Sequence, residues 1–135
     1  MKAPAAHLVL PSTYDALADA REWIASHARA AGFADRDVLD LELVVTEAVS
    51  NVVRHAYGGE PGREVELDAR TEPGLIVLRI TDHGEPFIGG RRVAPDGSGG
   101  YGLGLIAQLV DSMTRSADEG SNTLELVKQR PGGSS

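Results

Sequence analysis

The sequence contains no cysteine among its 135 residues. This absence excludes thiol catalysis, disulfide bridges, and zinc or iron–sulfur sites with cysteine ligands. The sequence also lacks any run approaching the roughly 18 apolar residues of a membrane-spanning helix, and its first residues contain no apolar signal core. These absences predict a cytoplasmic protein that does not enter a membrane.

Positive charge is scarce as well. Lys and Arg number 13 against 20 Asp and Glu, which gives a formal net charge of −7. Such an acidic domain repels nucleic-acid phosphates and disfavours direct binding of DNA or RNA, whereas a single nucleotide needs only a local site. Because the length and the 41% apolar fraction suit one core, we expect one domain over residues 1–130 and a disordered tail over residues 131–135.

The apolar spacing predicts elements in the order β-α-α-β-β-loop-α-β-β. The clearest helix spans residues 35–57, and the strand over residues 75–81 carries apolar residues on much of both faces. In the last helix, the residues expected to point inward are Leu103, Ile106, Ala107 and Val110. Since short turns join neighbouring strands, we expect a two-layer α/β sandwich, with a mixed, mostly antiparallel sheet and the helices on one face.

A stripe of polar residues lies on the clearest predicted helix. Glu47, Asn51 and His55 are spaced i, i+4 and i+8, so a helix places them on one face. Asparagine offers a neutral oxygen to a hard cation such as Mg²⁺, and a carboxylate one turn away orients or deprotonates a hydroxyl that attacks a phosphoryl group. The alternative interpretation is an ordinary solvated helix face.

A second polar segment follows the apolar strand, where Asp82 is separated from Gly84 by one residue. A carboxylate at a strand end accepts a hydrogen bond from an exocyclic amine such as that of adenine. Glycine allows the backbone to approach a flat ligand closely. The alternative interpretation is a strand end followed by a turn.

The third segment is rich in glycine and leads directly into the last predicted helix. Glycine occupies four of the six positions in residues 97–102 and recurs at Gly104. Free backbone N–H groups and the helix dipole favour phosphate at such a place. The spacing is not that of a Walker P-loop, and the segment follows a long loop rather than the strand of a dinucleotide-binding fingerprint. A flexible linker is the alternative interpretation.

Together and in this order, the three segments resemble the motifs of the GHKL (Bergerat-fold) ATPases, which include histidine-kinase catalytic domains, DNA gyrase and heat-shock chaperone ATPases. The helix with Glu47 and Asn51 resembles the family's N box, Asp82-x-Gly84 its first glycine box, and Gly100-Tyr-Gly-Leu-Gly104 its second. The resemblance covers residues 11–128 and implies a histidine-kinase-like ATPase fold that binds ATP and Mg²⁺.

The form Glu47-Ala-Val-Ser-Asn51-x-x-x-His55-Ala-Tyr57 is more similar to the RsbW-like anti-sigma-factor serine kinases than to histidine kinases. This resemblance implies that Glu47 is the general base, that Asn51 holds Mg²⁺, and that Asp82 binds the adenine amino group. It further implies that Arg54 and His55 either contact phosphate or hold the neighbouring loop. The remaining nucleotide contacts that it implies are Gly84 and Thr123 near adenine, and Gly100, Gly102, Leu103 and Gly104 around the phosphates.

The resemblance implies a serine/threonine protein kinase that phosphorylates a STAS-type anti-anti-sigma protein, binds a sigma factor and forms a homodimer. One alternative is a nucleotide-gated binding module without kinase activity, which needs the same residues except Glu47. Another is a detached histidine-kinase catalytic domain, which the Glu-Ala-x-x-Asn form disfavours. Arg91 and Arg92, in the loop before the last helix, have open roles in contact with ATP phosphates, contact with an acidic partner, or solvation. Arg21, on the first helix, is a candidate for partner contact.

Overall fold

The computed structural model describes residues 5–56, 62–84, 103–118 and 120–129. Within these ranges the strands are β1 (Ala5–Pro11), β2 (Glu64–Glu72), β3 (Leu75–Asp82), β4 (Ser112–Asp118) and β5 (Ser121–Gln129). The helices are α1 (Leu17–Ala30), α2 (Asp35–Asn51) and α3 (Leu103–Leu109). Most of the predicted loop before α3, including Arg91 and Arg92, and the predicted tail at residues 131–135 lie outside the described residues.

The five strands form one sheet in the order β1-β2-β3-β5-β4, and every neighbouring pair is antiparallel. Gly74 and Gly120 lie in the turns β2–β3 and β4–β5 with φ angles of 73° and 76°, a left-handed conformation that glycine adopts without a steric penalty. The predicted α/β sandwich is confirmed, and the sheet is antiparallel throughout the described strands. Because β5 is the antiparallel neighbour of β3, the start of β5 is beside the end of β3.

One face of the sheet packs against the helices, while the other is only partly covered. In β2 the buried residues are Val65, Leu67 and Ala69, in agreement with the predicted alternation. The prediction that β3 is buried on much of both faces is wrong, because its exposure alternates between buried and half-buried or exposed positions. Arg79, for example, lies on the outer face and forms an ion pair with Glu125 of β5 at 2.7 Å. A sheet covered by helices on one side produces this alternation.

The helices contribute their apolar faces to the same core cluster as the strands. Ile24 and Ala28 of α1 and Leu41 and Val45 of α2 are fully or almost fully buried, as the helical spacing predicts. In α3 the prediction holds for Ile106, which is buried, but is wrong for Ala107, which is exposed. None of the described helices has the length and apolarity needed to cross a membrane.

The helix α2 ends at Asn51, earlier than predicted, and the chain continues as a π-helical turn over Val52–Ala56. Hydrogen bonds in a π-helical turn run over five residues instead of four. His55 lies in this turn and its side chain is outside the described residues, so the extension of the predicted stripe from Glu47 and Asn51 to His55 stays a prediction. Single π-helical turns are frequent at functional sites.

A buried lysine at the far end of β5, Lys128, contacts the helices α2 and α3. The Lys128 ammonium donates a hydrogen bond to the carbonyl oxygen of Leu109, the last residue of α3, at 2.7 Å. It also lies 3.8 Å from the Asp37 carboxylate and 3.9 Å from that of Asp40, near the start of α2. A buried charge requires such partners, and these contacts fix the start of α2 over the end of β5.

Candidate functional site

The carboxylate of Asp82 lies in the helix-facing layer at the end of β3 and is only 4% exposed. Its Oδ1 accepts one hydrogen bond from the backbone N–H of Gly84 and another from the Asn122 side chain, both at 2.9 Å. Burial of a carboxylate is costly unless its oxygens are hydrogen-bonded. The Asp82-x-Gly84 segment is therefore a tight turn that points a buried acceptor into the layer between sheet and helices.

Thr123, which the family resemblance placed near adenine, lies on the opposite face of the sheet from Asp82. The β3–β5 register pairs Asp82 with Asn122 and Thr81 with Thr123. Successive strand residues point to opposite faces, so Thr123 faces outward, where its hydroxyl lies 3.4 Å from that of Thr81. The β5 residue that contacts the Asp82 carboxylate is therefore Asn122 rather than Thr123, whose predicted place near adenine stays a prediction.

The end of α2 carries a buried amide with an unsatisfied position. Asn51 is 9% exposed, and its Oδ1 accepts a hydrogen bond from the exposed Arg54 guanidinium at 3.4 Å. Its buried Nδ2 has no hydrogen-bond partner among the described residues. Such a group costs about 1–3 kcal/mol, and a 180° rotation exchanges the amide nitrogen with its oxygen. The position therefore fits an oxygen ligand for a cation or a donor to an anionic ligand.

Glu47 lies one helical turn before Asn51 and is half-buried. Its carboxylate makes no hydrogen bond or ion pair with any residue in the described part of the chain. Since no described residue pairs with it, this carboxylate can accept a hydrogen bond from a ligand or from a hydroxyl that approaches the end of α2.

Residues close to Asn51 in the chain and residues close to Asp82 and Asn122 on the sheet belong to the same core cluster, namely Val49, Val52, Ile80 and Leu124. Lys128 fixes the start of α2 over the end of β5 through Asp37. From there, residues 37–51 of the helix and residues 122–128 of the strand both span roughly 20 Å, at about 1.5 Å and 3.3 Å per residue. The two stretches are therefore of about equal length.

The remaining predicted residues belong to α3 and its surroundings. Gly104 is the second residue of α3 and is exposed, and a methyl group added there meets no atom within 4 Å. Leu103 begins the helix, but its side chain lies outside the described part, as does that of His55. Gly100 and Gly102 also lie outside the described residues. Open space at Gly104 is compatible with a ligand before α3.

The side chain of His83, the middle residue of the Asp82-x-Gly84 segment, contacts β2 and the β4–β5 turn. The His83 Nε2 lies 2.9 Å from the Glu66 carboxylate of β2, and its Nδ1 lies 3.0 Å from the carbonyl oxygen of Gly120. Both partners are acceptors, and only a protonated imidazole donates from both nitrogens. Two hydrogen bonds raise the pKa of His83 above its usual value of 6.5. The hydrogen bond to Glu66 has the larger effect and the one to Gly120 the smaller.

This contact predicts a pH-dependent contribution of His83 to stability. Because the folded-state pKa is raised, the contribution is fully present below about pH 6.5 and is lost as the pH rises through the folded pKa. We expect the difference in melting temperature between the wild type and His83→Gln to shrink between about pH 6 and about pH 9. In the Glu66→Gln background the same comparison should show a much weaker pH dependence. A difference that is constant with pH in the wild-type background would contradict the assignment.

A family profile described as the histidine kinase-like ATPase domain matches residues 10–128 of the chain. The chain belongs to this family. The serine-protein kinase RsbW of Listeria innocua is 31% identical over 125 residues, which cover 84% of this chain and 80% of the relative. The RsbW protein of Oceanobacillus iheyensis is 28% identical over 116 residues, which cover 77% and 73%. The predicted resemblance to the RsbW-like branch of the GHKL ATPases is thereby confirmed.

The fold has a counterpart among solved structures. The structure of the RsbU and RsbW domains of Rv1364c from Mycobacterium tuberculosis matches with a TM-score of 0.69 at 20% sequence identity. The match covers 93% of this chain but 32% of that longer chain. At this identity the likeness supports the fold, which is the one that the sequence motifs predicted.

Asn122 and His83 are the two residues of the site that sequence reasoning missed. The signal for Asn122 was present, since counting back by twos from the apolar Leu126 and Leu124 places residue 122 on the buried face. No local pattern identified His83, because its partners lie on β2 and in the β4–β5 turn.

Proposed function

We propose that the protein is an ATP-dependent serine/threonine protein kinase that acts as an anti-sigma factor and phosphorylates a STAS-type anti-anti-sigma partner. The main support is the end of α2, where two groups without a polar partner in the described part of the chain, the Asn51 Nδ2 and the Glu47 carboxylate, lie one helical turn apart. Membership of the histidine kinase-like ATPase family and the similarity to proteins named serine-protein kinase RsbW add to this support. A single domain over residues 1–130 and a homodimer belong to the same proposal.

In this proposal the nucleotide lies between α2 and the end of the sheet. Asp82 accepts a hydrogen bond from the adenine amino group, with Gly84 beside the ring. Asn51 holds Mg²⁺, which commonly takes few protein ligands and is otherwise bound by substrate phosphates and water. Arg54, which donates a hydrogen bond to Asn51, contacts phosphate or holds the neighbouring loop. Gly100, Gly102, Leu103 and Gly104 complete the phosphate region through the backbone before α3.

Bound ATP supplies the phosphoryl group. Glu47 orients the serine hydroxyl of the partner protein and accepts its proton as the serine oxygen bonds to the γ-phosphorus and ADP leaves. The carboxylate is suited to this role because it lies one helical turn from the Asn51 amide and forms no hydrogen bond or ion pair with the described residues.

The phosphorylated partner is expected to release the kinase, which then binds a sigma factor. A capture experiment tests the partners and the chemistry together. The full chain is used as bait for STAS-domain proteins and sigma factors of its own genome, with and without Mg·ATP, and phosphosites on the captured proteins are mapped. We expect nucleotide-dependent capture and a single phosphoserine or phosphothreonine on the STAS-type partner. Capture without phosphate transfer would support the nucleotide-gated binding module instead.

The stability of the phosphate bond in acid separates the remaining alternative. Phosphoserine survives acid treatment, whereas phosphohistidine is hydrolysed. We expect the label on the partner to survive, and its loss in acid would favour a histidine-kinase catalytic domain.

A further inference from the structure

The Asp82 carboxylate, which is assigned to the adenine of ATP, is hydrogen-bonded to Asn122 on β5. Asn122 is 1% exposed and lies directly across from Asp82 in the antiparallel register. Its Nδ2 donates to Asp82 Oδ1 over 2.9 Å. This contact joins two strands that are far apart in the sequence, so it is a product of the fold rather than of the Asp82-x-Gly84 motif.

The two donors that reach Asp82 both use the same oxygen. The backbone N–H of Gly84 and the amide of Asn122 converge on Oδ1, each at 2.9 Å. Within the described part of the chain, Oδ2 receives no hydrogen bond. A carboxylate held in this way has one oxygen engaged by the protein and presents the other to a donor from elsewhere.

The chemistry of Asn122 suits this task. An amide donates a hydrogen bond without bringing a positive charge, so the carboxylate keeps its full negative charge for the ligand. Gly84 alone leaves the plane of the carboxylate free to tilt about its last bond. The second donor, on a different strand, restricts this rotation and so fixes the direction in which the other oxygen accepts a hydrogen bond.

We propose that Asn122 is a positioning residue, which orients the Asp82 carboxylate so that its second oxygen accepts the exocyclic amino group of a purine. The inference rests on the proposed ATP site and deepens it, because it assigns the preference for an aminated base to a residue outside the recognised motifs. Loss of Asn122 should then weaken binding of aminated purines more than binding of purines that lack the amino group.

The test compares two nucleotides by isothermal titration, namely Mg·ATP and the Mg²⁺ complex of purine riboside triphosphate, which lacks the amino group of adenine. A general weakening of the site raises both dissociation constants by the same factor and leaves their ratio unchanged. We expect the wild type to prefer ATP by about tenfold or more, as one hydrogen bond to a charged acceptor allows. In Asn122→Ala the preference should fall to about twofold, mainly through weaker binding of ATP.

Two further variants control the comparison. Thr81→Ala changes the residue next to Asp82, which faces the other side of the sheet, and should retain the wild-type ratio. Asn122→Val lacks a hydrogen-bond donor but has a side chain suited to a strand, so it should lose the preference as Asn122→Ala does and carries the test should Asn122→Ala not fold. An unchanged or larger ratio in either Asn122 variant would overturn the role of Asn122 while leaving the ATP site intact. If the wild type binds neither nucleotide, the proposed function fails and this inference fails with it.

Discussion

Replacing Glu47 by glutamine is expected to lower the rate of phosphate transfer to the partner protein by about 100- to 10,000-fold, the usual contribution of a general base. The affinity for Mg·ATP should stay within about twofold of the wild type, because the lost charge acts on the attacking hydroxyl rather than on nucleotide binding. The melting temperature should also hardly change, since Glu47 makes no hydrogen bond or ion pair within the described residues. Radiolabel transfer and isothermal titration measure the two quantities.

Glu42→Gln is the matched control for this experiment. Glu42 is on the same helix and is also half-buried, but lies on a different side of it from Glu47. We expect this variant to transfer phosphate at close to the wild-type rate. Full transfer by Glu47→Gln would remove the general-base assignment. A wild-type protein that binds ATP and partner but transfers no phosphate would identify a nucleotide-gated binding module.

The substitution Asp82→Asn is expected to weaken ATP binding by about 10- to 150-fold, which corresponds to the roughly 1.5–3 kcal/mol of a hydrogen bond to a charged group. The change keeps the shape of the side chain but removes the negative charge that accepts the adenine amino group. It also brings an amide group against the donors of Gly84 and Asn122, so some loss of stability is expected. Titration with Mg·ATP and a thermal melt of the nucleotide-free protein separate the two effects.

Asp68→Asn is the matched control for Asp82. Asp68 lies on the neighbouring strand β2, on the outer face, where its carboxylate contacts His7 at 2.6 Å. Like Asp82→Asn, this variant removes one negative charge from the sheet, so the two variants change the long-range electrostatic field similarly. Asp68→Asn should nevertheless leave ATP affinity within about twofold of the wild type. Equal losses in the two variants would indicate a general electrostatic effect and would contradict a specific contact between Asp82 and the nucleotide.

The two experiments separate nucleotide binding from phosphate transfer. Both proposed functions assign Asp82 and Asn51 to nucleotide binding, whereas only the kinase assigns a role to Glu47. Burial differs along the same division, since Asp82 and Asn51 are buried and Glu47 is half-buried.

The sequence predicted the secondary structure well because its signals are local. All five strands and three helices were expected, with ends that differ from the observed ones by a few residues. The largest difference is at the end of α2, where apolar spacing continued through residue 56 while the backbone changed to a π-helical turn at Val52. Apolar periodicity indicates which face is buried, but it does not distinguish four-residue from five-residue hydrogen bonding.

Two burial patterns show where local signals were insufficient. The apolar run of β3 suggested burial on both faces, but the helices cover one face, so its alternate residues are only partly covered. Lys128 differs in the other direction, because it is more buried than its residue type suggests. A lysine is normally exposed, yet this one is buried against the start of α2 and the end of α3. Its burial depends on partners from two distant segments.

What the sequence determined by itself is the order of the elements, the helix-borne Glu47 and Asn51, the Asp82-x-Gly84 turn, and the family to which these motifs belong. What the tertiary structure decided is which residues meet around Asp82. The register between β3 and β5 places Asn122 against Asp82 and turns Thr123 to the other face, although both residues fit the sequence pattern of a strand. A shift of one residue reverses every side chain of a strand, and that register is set by the packing of the whole sheet rather than by neighbours in the sequence.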